Sequence, residues 1–138
     1  KGAGLLTCGS ETSGSIRNVL AHDLIAYGTG TTLRLKSSMN RGGTVENIYM
    51  TRVEADSVTH ILSVDLNWNP KYSYSALPKE YEGKDVPEHW TTMLTPVEPK
   101  EKGYPHFRNV YFSHVKADGA KRFISASGWS ASHRIENF

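Results

Sequence analysis

Apolar and polar positions in this chain fall into columns when it is folded back on itself at about 29 residues, a length suited to one coil of a stacked repeat. Leu33, Leu62 and Ile124 share one column, Leu35, Val64 and Ala126 a second, and Leu24, Val53 and Val115 a third, all apolar. Between the first two fall Arg34, Ser63 and Ser125, and just beyond them Lys36, Asp65 and Ser127, all polar. Such alternation predicts short strands with one face buried and the other in water.

A second pattern fixes the register of these columns. Ile16-Arg17-Asn18-Val19, Val45-Glu46-Asn47-Ile48, Phe107-Arg108-Asn109-Val110 and Ile135-Glu136-Asn137-Phe138 each read apolar, charged, Asn, apolar. Any one Asn could be there simply because the residue favours turns. Four at one register predict more: in stacked strands they lie roughly 4.8 Å apart, within reach of an amide ladder at a coil corner. The outer intervals between copies are one period each, and the middle one is twice as long. It holds two coils or one coil plus an insertion, and composition favours the insertion. All six prolines, Pro70, Pro78, Pro87, Pro96, Pro99 and Pro105, lie there with Trp68, Tyr72, Tyr74, Tyr81, Trp90 and Tyr104.

A leucine-rich repeat has a similar period, but its L-x-x-L-x-L signature is absent. No segment between the strands shows a helical period, and Gly28, Gly30, Gly42 and Gly43 favour turns. The expected fold is therefore all-β: a right-handed parallel β-helix, a solenoid of about four to five coils with one long aromatic and Pro-rich loop. The 138 residues form one partial β-helix domain, with the loop inserted over 66–106. Solenoids need caps over their end coils, and neither end of this sequence reads as one. The chain is thus expected to be a piece of a longer protein and to self-associate through exposed coil ends.

A net charge of +2 and a pI near 8.7, with no basic run, leave no nucleic-acid footprint. No apolar stretch reaches the roughly 20 residues of a membrane span, so neither nucleic acid nor membrane is an expected partner. Cys8 has no second cysteine to bridge, and in Leu5-Leu6-Thr7-Cys8 it reads as a buried small hydrophobe. His22, His60, His89, His106, His114 and His133 show no metal-ligand spacing, and no metal or other cofactor is expected. Glu11, Asp23, Glu46, Asp56, Asp65 and Asp118 fall at corners or outward positions and read as solvated or paired. Asp65 stacks one coil from Lys36, where an ion pair would hold the lysine. The long loop reads both as an excursion packed on itself and as one wall of a cleft, since flat aromatic faces suit sugar rings.

Arg34 and Lys36 project from one face of a strand whose other face is Leu33 and Leu35. They offer an anion a fork beside a point charge. An Arg-x-Lys on a strand is by itself usually a solvated face. The surrounding stretch, Leu33-Arg34-Leu35-Lys36-Ser37, Arg41-Gly42-Gly43 and Val45-Glu46-Asn47-Ile48, resembles glycoside hydrolase family 28, the polygalacturonase-like pectinases. Their R-I-K motif is followed by a Gly-rich turn and a V-x-N-I strand. Gly9-Ser10-Glu11-Thr12-Ser13-Gly14, followed by Ile16-Arg17-Asn18-Val19, is similar to the family's I-G-S-E segment and its next strand. Asn67-Trp68-Asn69-Pro70 and Pro87-Glu88-His89-Trp90 resemble features of bacterial members.

The resemblance covers nearly the whole chain. It implies a secreted or periplasmic enzyme that hydrolyses galacturonic acid linkages with inversion and without a metal cofactor. Its partner would be an acidic polysaccharide or oligogalacturonide. It also implies that Arg34 and Lys36 bind the substrate uronate, and that Trp68 stands near a family aromatic position as a third substrate-binding residue. No catalytic residue is expected in this chain. The family's aspartates, in N-T-D and D-D motifs, lie upstream of a G-H-G motif whose counterpart here is Gly2-Ala3-Gly4, with Ala3 at the histidine position. Inverting hydrolysis needs an acid and a base carboxylate about 6.5–9.5 Å apart, so the isolated chain is expected to be inactive. A non-catalytic glycan-binding β-helix is the alternative, favoured by Ala3. A pectate lyase ranks last, because no acidic cluster for Ca²⁺ shares the face of Arg34 and Lys36.

Overall fold

The computed structural model describes residues 2–70 and 75–138. Tyr72 and Tyr74 of the aromatic segment lie outside the described residues. The chain is mostly β, in two parallel four-stranded sheets. One holds β1 (Leu6–Cys8), β3 (Thr31–Lys36), β5 (His60–Asp65) and β7 (Arg122–Ser127) in that spatial order. The other holds β2 (Ile16–Tyr27), β4 (Thr44–Asp56), β6 (His106–Asp118) and β8 (Ile135–Glu136). Odd and even strands alternate along the chain, so each turn of sequence adds one strand to each sheet.

Every column read from the sequence is a register column here. Leu33 pairs Leu62 and Leu62 pairs Ile124; Leu35, Val64 and Ala126 follow, as do Leu24, Val53 and Val115. The inward residues of both sheets form one core that includes Leu33, Leu35, Val45, Ile48, Leu62, Val64 and Phe107, each 4% exposed or less. Ile124 continues its column yet is 56% exposed, because β7 is the outermost strand of its sheet.

The even strands are longer than the pattern suggested, at 12 or 13 residues for β2, β4 and β6. They turn corners without leaving the sheet, because one residue at each bend is left-handed. The first corner is the asparagine column: Asn18, Asn47, Asn109 and Asn137 have φ of 58°, 56°, 54° and 52°. Asn tolerates this region better than most residues. Each Nδ2 donates to the Oδ1 of the coil before it, from Asn47 to Asn18 at 2.9 Å, Asn109 to Asn47 at 3.2 Å and Asn137 to Asn109 at 2.8 Å. A second bend uses Asp23, Arg52 and His114, also left-handed. Beside the ladder, Glu46 lies between Arg17 and Arg108, at 2.9 and 2.6 Å.

Between β5 and β6 the chain makes an excursion. Its described residues include helix α1 (Glu88–Leu94) and the 3₁₀ turns Lys79–Tyr81 and Lys100–Gly103. The expectation that no helix lies between the strands is corrected here. The helix is only 7 residues long and buries none of them, so it has no apolar stripe to reveal it. Its start is written differently: Pro78, Pro87 and Pro99 stand at the N-cap positions of these segments. Proline's fixed φ and missing N–H suit the entrance to a helix.

Candidate functional site

The polar face of β3 carries Arg34 and Lys36, both half-buried. Their strand is flanked by β1 and β5, with Thr7 and Ser63 beside Arg34 and Asp65 beside Lys36 in register. Trp68 follows the end of β5, and its backbone N–H donates to the Ser37 carbonyl at 3.1 Å. That bond carries the indole over the two cations. The Arg34 Cζ lies 5.2 Å from the ring centroid and the Lys36 Nζ 4.0 Å. The three residues singled out in the sequence therefore form one cluster.

A ring quadrupole beside two cations offsets part of their mutual repulsion and limits their rotamers. Burial and the neighbouring Arg34 charge hold the Lys36 ammonium below its ordinary pKa, while Glu11 pulls in the opposite direction. The cluster can receive a carboxylate on the Arg34 fork and the Lys36 ammonium together.

The expected Lys36–Asp65 ion pair does not form. The two residues are neighbours in register, but the Asp65 carboxylate turns back along its own chain and accepts the Asn67 N–H at 2.9 Å. Lys36 instead faces Trp68. What holds Lys36 from behind is the segment Gly9 to Thr12. A side chain at Gly9, whose φ is 95°, would run into the Lys36 carbonyl. Thr12, fully buried, bonds the Ser37 hydroxyl at 2.6 Å and donates to the Gly42 carbonyl at 2.8 Å. These positioning contacts were quoted in the sequence as motif residues, but spacing could not show what they hold. Ala3, at the position that the resemblance gives to histidine, is exposed, and its carbonyl packs against Gly30.

Of the other acids, Asp23 and Glu46 are paired with arginines. Asp23 meets Arg52 at 2.5 Å and His22 at 2.5 Å, and the Arg52 guanidinium holds its carboxyl well below the usual carboxylate range. Burial pushes the Cys8 thiol up, as befits a core residue. Among the described residues no three His, Cys, Asp or Glu side chains converge as a metal site, and no helix is long and apolar enough to cross a membrane.

The turn after Lys36, residues 37–43, is clasped by both ends of the excursion. Trp68 N–H bonds Ser37 at one end, while Gly42 N–H donates to the Gly103 carbonyl at 2.9 Å and His106 N–H to Gly43 at 3.0 Å at the other. The fit is close: a Cβ on Gly103 would lie 2.9 Å from the Asn40 Cα. Between turn and excursion opens a pocket of about 520 Å³, lined by Arg41, Thr92, Glu98, Lys100, Tyr104 and Trp129 among others.

Part of this chain is similar to a plant protein. A stretch of 46 residues, 33% of the chain, is 39% identical to a protein of Vitis vinifera described as "Probable polygalacturonase". The stretch spans 9% of that relative's length. No family model matches the chain, and no solved structure matches it.

Proposed function

We propose that this chain is the substrate-binding portion of a pectin-degrading glycoside hydrolase of the polygalacturonase kind, built as a right-handed parallel β-helix. The observation that carries the reading is the meeting of Arg34, Lys36 and Trp68. Two cations of different shape and a flat indole suit the carboxylate and the ring of a galacturonic acid residue. The similarity to the Vitis vinifera protein and the stacking of parallel strands support it. In this reading Arg34 and Lys36 take the uronate carboxylate, Trp68 borders the sugar, and the acid and base carboxylates of an inverting hydrolysis come from outside these residues. The whole enzyme works outside the cytoplasm on an acidic polysaccharide, and the chain on its own binds without turnover.

The test is a calorimetric titration of the purified chain with galacturonic acid, paired with an assay for hydrolysis of an unsubstituted oligogalacturonide. Binding weakened by Arg34→Gln, together with no hydrolysis, is the expected pair of results. Hydrolysis by the pure chain would overturn the assignment of catalysis elsewhere. Binding indifferent to both Arg34→Gln and Lys36→Gln would remove the clamp.

A second reading, a glycan-binding β-helix that has no catalytic machinery in any part, is favoured by Ala3 at the histidine position. It shares the clamp and differs in the residues upstream, where aspartates in the N-T-D and D-D pattern would exclude it. In either reading the exposed Phe123, Ile124 and Phe138 of the last coil are the surface through which we expect self-association. A monodisperse monomer in light scattering would count against that.

A further inference from the structure

We infer that Glu11 is a specificity-determining residue of the clamp: its carboxylate offsets one of the two positive charges on Arg34 and Lys36, so that the site restrains doubly charged anions in favour of a ligand carrying one negative charge, a single uronate. The inference rests on the functional reading above and adds to it a residue of opposite charge.

The segment that carries Glu11 is fixed against the clamp strand on both sides of it. Before it, Gly9 packs so closely on the Lys36 carbonyl that no side chain could stand there. After it, Thr12 bonds the Ser37 hydroxyl at 2.6 Å. The flanking Ser10 and Thr12 are buried, whereas Glu11 is exposed. The Ser10 hydroxyl donates to Glu11 Oε1 at 3.1 Å and limits the freedom of the carboxylate. Glu11 forms no ion pair with any described residue, so no close cation consumes its charge.

The other groups around Lys36 leave this role open. Arg34 shares its face of β3, and Asp65, its register neighbour on β5, has turned to the Asn67 N–H. Trp68 covers the ammonium with a neutral ring. On the opposite flank β1 ends at Cys8, a core residue, and gives way to the Glu11 segment. Glu11 is accordingly the acid whose charge reaches the ammonium: burial and Arg34 press the Lys36 pKa down, and Glu11 draws it up.

A fixed charge beside a site changes the binding free energy of an anion in proportion to the anion's own charge. Two cations alone would favour a dianion, which doubles the attraction to each. The nearby acid weakens a monoanion by some factor and a dianion by about the square of that factor. For charges separated by solvent the factor is about threefold, hence about tenfold for a dianion.

Calorimetric titrations with galacturonate and with sulfate, at neutral pH and constant ionic strength, test this on the natural chain, Glu11→Gln and Glu11→Asp. Glu11→Gln should bind galacturonate about threefold and sulfate about tenfold tighter than the natural chain. It should also lose galacturonate at a lower alkaline pH, because Lys36 gives up its proton sooner without the acid. Glu11→Asp keeps the charge and should stay close to the natural chain in all three respects. A merely structural role for Glu11 would instead weaken both ligands and lower the melting temperature, which thermal melts of each variant record. Suppose Arg34→Gln still weakens galacturonate binding: then unchanged affinities in Glu11→Gln, equal gains for the two anions, weaker galacturonate binding, or no measurable sulfate binding overturns the inference alone. Galacturonate binding that is absent, or indifferent to Arg34→Gln and Lys36→Gln, overturns the functional reading and the inference with it.

Discussion

In the stacked strands a residue's surroundings follow from the residue one coil away: Leu33 meets Leu62, Asn47 meets Asn18 and Asn109, Glu46 meets Arg17 and Arg108. Between β5 and β6 no such rule holds. Trp68 is placed by a carbonyl of the 37–43 turn, and Gly103 is fitted against Asn40. The first region gains its stability from repetition, whereas the second gains its position from individual contacts with one turn. The candidate chemistry stands where they meet: the repeat presents Arg34 and Lys36, and the excursion presents Trp68.

If that contrast is correct, substitutions in the two regions should fail differently. The largest effect is expected from Leu33→Ala, which empties a fully buried position between the sheets and should cost about 2–5 kcal/mol in chemical denaturation. A comparable loss from Trp68→Ala would break the comparison, because it would make the excursion part of the core. Next comes Asn47→Ala. It removes two ladder bonds and leaves Ala in a left-handed backbone, a cost of about 2–3 kcal/mol. Asn47→Gly relieves the backbone and should recover about 1 kcal/mol of it; no recovery would mean that the ladder alone carries the corner.

Trp68→Ala removes the cation–π contacts to Arg34 and Lys36 and should cost about 0.5–1 kcal/mol of stability, well short of Leu33→Ala, while weakening galacturonate binding. The smallest effect is that of pH on Lys36. Its folded pKa lies below the unfolded value of 10.5. Through the window between the two the folded chain binds fewer protons than the unfolded one, so stability rises with pH there. Carboxylate binding falls in the same window, as the ammonium is lost. A titration that follows binding and melting together should show the two moving in opposite directions. Lys36→Arg, which stays charged, should abolish the fall in binding.

The sequence foretold the stack closely, because repetition turns a tertiary contact into a comparison of letters. An Asn at one register in four coils can be read as a ladder, since an amide both donates and accepts and so satisfies a copy of itself. The second corner was not legible. Asp23, Arg52 and His114 solve the same backbone problem with three unlike residues, and an ion pair between unlike partners leaves no repeated letter. The clamp was half legible: the alternation of β3 put Arg34 and Lys36 on one face, and family resemblance gave Trp68 as their companion. Asp65 was assigned to Lys36 from register alone, but register fixes Cα positions and leaves a short carboxylate free to find the nearer Asn67 N–H. The pocket at Arg41 was invisible, since its walls come from segments far apart in sequence that share no period.

One column distinguishes the coils from one another. The asparagine rungs are interchangeable, and so are most of the aliphatic ones, so a nascent chain that skipped a coil would still find amides and methyl groups to pair. Arg17, Glu46, Arg108 and Glu136 alternate in sign down their column. A first coil laid directly on the third would place Arg17 on Arg108, two like charges side by side. The column thus works as an order check, penalising the misassembly that a self-similar sequence most invites.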